Sequence, residues 1–158
     1  MASFIIPAML ALLPIALSAP ATSGVFNAAS LNVAGLPALF NGNDIPGDKN
    51  TNTATIGSKF SQYNYSIIHV QEDFNYHATL YANDDHPYRT ATSGGVPFGD
   101  GMNSLSLFDW VDFERTKWAE CSNASGADCL TPKGFTFMRL KVSEGVWIDA
   151  YNMHADAG

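Results

Sequence analysis

Residues 65–74 read "YSIIHVQEDF", and this stretch decides how the rest of the chain is read. Ile67, Ile68 and Val70 form a nearly continuous apolar run. Such a run predicts a short strand covered on both faces, not an amphipathic surface element. The polar pair Gln71-Glu72 follows at once, so a carboxylate stands where the buried strand stops. The question is which other strands end beside it.

Upstream, residues 24–37, "GVFNAASLNVAGLP", read as a strand that ends in a Gly/Pro break. The segment "ALFNGNDIPGDKNTNTATI" is rich in turn residues and predicts a loop. Ile56, Phe60 and Tyr63 then recur at helical spacing, which predicts a short amphipathic helix over 53–64, with Thr53 or Thr55 as its N-cap. Downstream, residues 73–82 predict a short helix or turn, and Leu105 and Leu107 belong to a strand running to about Val111. Residues 113–121, 134–142 and 147–155 predict three further strands, the last two joined by the tight turn at "EGVW". Strand–helix–strand followed by antiparallel hairpins is the order of an α+β fold with a mixed sheet.

Composition bounds the class. The chain has 158 residues, is 46% hydrophobic and 12% aromatic, and carries a net charge of −7. That suits one soluble globular domain. An acidic surface with only 8 Lys and Arg argues against a stable nucleic-acid complex. The uncharged apolar opening "MASFIIPAMLALLPIALSAPATS" predicts a signal peptide cut after Ala21, with residues 22–158 as the secreted domain. The apolar run is shorter than the ~20 residues that span a bilayer, so no transmembrane anchor is expected after cleavage. Cys121 and Cys129 enclose a short polar loop and predict a disulfide in an oxidising compartment. Asn64 and Asn123 open glycosylation sequons.

The candidate site follows from the strand ends. Asn32 lies near the end of the first strand, Glu72 at the end of the second, and Asn152 and His154 at the end of the last. If these strands are neighbours in one sheet, an amide, a carboxylate and an imidazole line one edge. Carboxylate and amide oxygens suit a hard divalent cation, and an imidazole can bond a phosphoryl oxygen or move a proton. Each residue also has a plainer reading: a local turn for Asn32, a helix start for Glu72, a surface histidine for His154. His69 reads as a packed or hydrogen-bonded histidine, and "NDDHP", residues 83–87, as a solvated turn. There is no P-loop and no dinucleotide fingerprint.

The segments "LNVAGLP", "IIHVQEDF", "GDGMNSLSLF" and "KGFTFMRLKVSEGVWIDAYNMHADAG" come in an order that resembles the endonuclease/exonuclease/phosphatase superfamily, the deoxyribonuclease I-like group, in its secreted fungal or microbial branch. The resemblance implies a partial sandwich of two sheets flanked by helices, with each half of the domain supplying one sheet. It implies metal binding by Glu72 and Asn32, phosphate contacts from Asn32 and Asn152, and a catalytic histidine at His154. Met153 stands where the family's "N-T-H" motif has Thr, and Asp156 follows as a further candidate. Asp100 and Asn103 are candidates for the site rim. The implied cofactor is Mg²⁺ or Mn²⁺, and the implied reaction is attack of water on a phosphoester of a phospholipid, a soluble phosphoester or a nucleic acid. The family's "G-D-x-N" and "S-D-H" motifs, which supply the water-activating aspartate and a second histidine, are not placed in this sequence: the first follows the "YNMH" strand in the family, whereas its superficial mimic Asp100-Gly101-Met102-Asn103 precedes that strand. The expectation is therefore the N-terminal part of such a domain over residues 22–158, from a truncated chain or a short product. A catalytically inactive binding protein of the same fold is the alternative.

Overall fold

The computed structural model describes residues 23–40, 45–122 and 128–156. The predicted signal segment and the Asn123 sequon lie outside the described residues. The elements are β1 (Ala28–Asn32), α1 (Lys49–Tyr63), β2 (Ile67–Gln71), α2 (His77–Ala82), β3 (Tyr88–Arg89), β4 (Asn103–Ser106), β5 (Trp110–Lys117), β6 (Gly134–Ser143) and β7 (Val146–His154). They form two sheets. One has four strands in the order β1-β2-β4-β3, and the other has three in the order β5-β6-β7.

β2 is the centre of the first sheet, and all five of its residues are buried. β1 runs parallel to it, with Asn32 opposite Gln71. β4 runs antiparallel, with Asn103 opposite Val70. Successive side chains on a strand point to opposite faces. Ile68, Val70 and Leu105 pack with Phe60 of α1 and Leu80 of α2. Ile67, on the other face, packs with Met138 and Leu140 of the second sheet. The chain is therefore layered as helices, sheet, sheet. Each fully buried Ile or Val on β2 contributes roughly 1.5–3 kcal/mol through apolar surface removed from water.

This corrects the expectation of a single sheet from this part of the domain. It also corrects the picture of one sheet edge carrying all the candidate residues. β7 belongs to the second sheet and reaches the β2 end from across the sandwich.

Helix α1 begins earlier than its apolar spacing predicts. Asp48, not Thr53 or Thr55, is the N-cap, and its carboxylate accepts from the Thr51 backbone N–H at 2.8 Å. Thr53 is buried inside the helix. The Asn/Thr cluster that reads as loop becomes the first turns, because a capping carboxylate satisfies donors that the turn residues would otherwise leave open. The strand predicted to run on to Val111 is broken. β4 ends at Ser106, and β5 starts at Trp110 in the other sheet.

The layer between the sheets changes character along its length. At one end Ile67, Met138 and Leu140 meet Phe26, Phe108 and Trp110. Towards the C-terminal end of β2 the contacts turn polar. His69 Nδ1 lies 2.7 Å from Ser104 Oγ, and Gln71 Nε2 donates to Asn152 Oδ1 at 2.6 Å. Arg115 of β5 donates to Asp100 and Asn103, at 2.8 Å each, and to the Met102 carbonyl. Asp100 and Asn103 are thus buried and bonded, not residues of an open rim.

Candidate active site at the strand ends

Glu72 sits one residue past β2, with φ 57° in the left-handed region. That conformation costs a non-glycine residue about 1–2 kcal/mol and persists only where its surroundings impose it. Two glycines impose it here. Gly35 donates its N–H to the Glu72 carbonyl at 2.9 Å, and a Cβ at Gly35 would come within 2.3 Å of that oxygen. A Cβ at Gly101 would lie 3.0 Å from Glu72 Cα and 2.7 Å from the Phe74 ring. Both are glycines because the backbones close directly on the Glu72 turn.

The turn carries the carboxylate into the gap between the sheets. The Glu72 side chain is 16% exposed, and its Oε1 lies 3.9 Å from His154 Nε2. Its Oε2 is buried and has no hydrogen-bond partner among the described residues. A buried carboxylate oxygen without a donor is costly, by roughly 1–3 kcal/mol or more, unless a cation or donor comes to it. Lys49 is close enough for Glu72 to favour its charged form, although burial has the larger, opposite effect and lowers its pKa. Its Nζ donates at 2.8 Å to the carbonyls of Ala34 and Leu36, which ties α1 to the loop after β1. The oxygen donors and the orphaned Oε2 fit a hard divalent cation at Glu72.

Asn32 lies at the end of β1, opposite Gln71, and is exposed. Its Oδ1 accepts from the Ala34 N–H at 2.9 Å, so it serves the turn foreseen for it and still faces solvent. His154 closes β7 with 14% of its side chain exposed. Its carbonyl accepts from Trp118 Nε1 at 3.1 Å. Asp156 accepts from the Ser122 N–H at 3.3 Å, and its Oδ1 lies 4.0 Å from Lys133 Nζ. Cys121 and Cys129 form the expected disulfide. The cysteine loop therefore braces the strand end that carries His154.

Asn152 differs from expectation. It is 1% exposed. Its Nδ2 donates to the carbonyls of Val70 at 2.9 Å and Asn103 at 3.2 Å, while its Oδ1 accepts from Gln71. Both amide hydrogens have partners and the group is shut off from solvent, so this placement does not suit a phosphate contact. The parity it shares with His154 is legible in the sequence; its depth is not.

Two further groups emerge. His77 Nδ1 donates to Asp73 Oδ2 at 2.6 Å, and Asn103 Nδ2 donates to the same oxygen at 2.7 Å. The i, i+4 spacing across a helix start was the available signal for that pair. The "NDDHP" turn is not solvated as predicted. Asp84 and His86 have fully buried side chains, with His86 Nδ1 bonded to Asp84 Oδ1 at 2.7 Å and Nε2 to the Tyr65 carbonyl at 2.9 Å. Asp84, Asp85 and His86 lie close enough together to share a cation, but the ring nitrogens of His86 already have these partners.

Two stacked sheets with helices on one outer face define a fold class. The chain has, in part, the deoxyribonuclease I-like fold of the endonuclease/exonuclease/phosphatase superfamily. It resembles sphingomyelinase C from Streptomyces griseocarneus with a TM-score of 0.64 and 18% identity, over 85% of this chain and 50% of that one. A beta toxin variant from Staphylococcus aureus, solved with bound magnesium ions, gives 0.61 and 17% over 81% of this chain and 48% of the other. An endonuclease/exonuclease/phosphatase family protein from Leptotrichia buccalis gives 0.53 and 14% over 84% and 55%. Among curated proteins, a sphingomyelinase from Mycobacterium tuberculosis is 35% identical over 143 residues, 86% of this chain. The chain spans only 28% of that relative's length. No family model matches the chain. No helix of the described residues is long and apolar enough to cross a membrane.

Proposed function

We propose that this chain carries one part of a divalent-metal-dependent phosphodiesterase site, with Glu72 and Asn32 holding the cation and His154 contacting the scissile phosphate. The observation that supports it most is the Glu72 carboxylate, with Oε1 3.9 Å from His154 Nε2 and a buried Oε2 that has no hydrogen-bond partner among the described residues, in a fold shared with magnesium-bound and sphingomyelinase structures. Mg²⁺ or Mn²⁺ at this carboxylate would supply Lewis-acid stabilisation of charge on phosphoryl oxygens. Glu72 would fix the cation, Asn32 would border both cation and phosphate, and His154 would donate to a phosphoryl oxygen. A phospholipid phosphodiester is the preferred substrate, since relatives bear the name sphingomyelinase and a net charge of −7 disfavours nucleic acid.

The reading includes secretion, with a signal peptide cut after Ala21, and glycans at Asn64 and Asn123. Asn64 is an exposed helix cap, which suits a glycan. Asp156 is assigned to bracing the His154 strand end through Ser122 and Lys133. A second reading, a binding protein of the same fold without turnover, is favoured by one observation. The "GDKN" run of residues 47–50 commits its aspartate to a helix cap and not to activating water, since Asp48 Oδ1 accepts from the Thr51 N–H and hydroxyl.

Manganese titration of the wild type and Glu72→Gln tests the metal site. The wild type is expected to bind Mn²⁺, and the variant to bind at least tenfold more weakly. Equal affinity would remove the metal role. Hydrolysis of sphingomyelin and of bis-p-nitrophenyl phosphate with Mg²⁺ then separates the readings. Turnover lost in Glu72→Gln supports the enzyme, and metal binding without turnover supports the binding protein.

A further inference from the structure

Glu72 and His154 come from different sheets, so something must set the distance between them. Neither strand end is hydrogen-bonded to the other through a shared ladder, because β2 and β7 are not paired strands. The contacts that cross the gap at this level are made by two amides. Asn152 lies two residues before His154 on the same face of β7. Gln71 immediately precedes Glu72. Gln71 Nε2 donates to Asn152 Oδ1 at 2.6 Å and to Ser30 Oγ of β1 at 3.1 Å. Asn152 Nδ2 in turn donates to the carbonyls of Val70 on β2 and Asn103 on β4.

We infer that Gln71 and Asn152 are positioning residues: a buried amide pair that joins β1, β2 and β4 to β7 and thereby holds the Glu72 carboxylate opposite the His154 imidazole. The inference rests on the proposed role of Glu72. Three features carry it. The pair is buried, at 8% and 1% exposure, so water does not compete for these bonds. The orientation of the Asn152 amide is fixed by its partners, since two carbonyls accept from Nδ2 and only Oδ1 can accept from Gln71. The third feature is its location. At the far end of the sandwich the sheets meet through apolar side chains, which fill space but do not fix register, whereas hydrogen bonds are directional. Directional contacts therefore stand where the separation of two functional groups matters. Partners behind a metal ligand typically alter metal affinity about 10–100-fold when removed.

The test uses the full chain and two variants. Gln71→Met keeps length and removes the donor. Asn152→Ala removes all three bonds and is the harsher change. Manganese affinity is expected to fall about tenfold or more in each. The double variant is expected to be scarcely weaker than Asn152→Ala, because the two residues act as one unit. Amide exchange in the absence of metal gives the second readout. The N–H groups of Met153 and His154 are expected to exchange at least tenfold faster, with β5 unchanged. Metal affinity within twofold of the wild type in both variants would overturn the inference, as would exchange that rises uniformly over the whole chain. A wild type that binds no Mn²⁺ would sink the Glu72 reading instead, and the exchange pattern would still decide whether the amides hold the β7 end in place.

Discussion

At the scale of single residues, the most demanding position is the Glu72 turn. Gly35→Ala is expected to destabilise the chain by about 1–3 kcal/mol, because the new methyl meets a backbone oxygen at 2.3 Å and neither side can move without opening β2. Thermal unfolding checks this, and loss of Mn²⁺ binding in the same variant would trace the effect to Glu72. Two histidines set opposite limbs of the pH–stability profile. Burial pushes His69 down to about 4, so it stays neutral when folded. Its contribution is full above the unfolded value of 6.5 and is lost as pH falls from there towards 4, up to about 3 kcal/mol. Burial opposes charge on His86 too, but the bonds to Asp84 and the Tyr65 carbonyl outweigh it and raise its pKa. Both partners are acceptors, so the charged ring can donate to each of them. That contribution is full below 6.5 and is lost as pH rises through the raised value. Denaturant melts from pH 4 to 9 should show a maximum between the limbs. His69→Asn should flatten the acid limb, and His86→Asn the alkaline one. The sequence shows His69 as packed because apolar residues surround it. It hides His86, because a Gly- or Pro-bounded run of Asp and His looks the same whether water or a carbonyl receives the proton.

At the scale of elements, the cysteine loop and β7 act together. Trp118 bonds the His154 carbonyl, and Ser122 bonds Asp156, so residues on either side of Cys121 clasp the end of β7 and the segment just after it. Reducing the Cys121–Cys129 bridge is expected to cost about 2–3 kcal/mol in the chain-entropy model. It should also release the end of β7 before the rest of the sheet. Thermal melts with and without reductant test the first part, and faster amide exchange confined to residues 151–156 tests the second. β6 and β7 are legible because they alternate and a tight turn joins them, and β2 because its apolar run is nearly continuous. β3 leaves no sequence signal because two residues carry no period. The start of α1 does not show in apolar spacing because its first turns depend on Asp48.

At the scale of the molecule, the pairing of strands into a layered order was not legible, since alternation shows that a strand has two faces and not what covers each. β6 makes the point. Thr136, Met138 and Leu140 face inward, while Phe135 and Phe137 face outward with the larger rings. Trp118, Phe135, Tyr151 and Phe137 form a continuous series of ring contacts 5.2–6.4 Å apart on that outer face. Beside them Tyr151 and Met153 are 61% and 63% exposed. Such a surface is expected to bind a hydrophobic dye and to associate as concentration rises. Tyr151→Lys with Met153→Lys should reduce both, as read by fluorescence and light scattering, and a surface that is silent in both assays would contradict this. The graded layer between the sheets has a different consequence. Aliphatic exchanges among Ile67, Met138 and Leu140 change volume alone, so that pole can absorb inherited or designed variation. At the opposite pole each side chain answers to several named atoms, and few alternatives satisfy them all. Variation in a lineage of such chains should therefore collect at one end of the sandwich and leave the other nearly invariant.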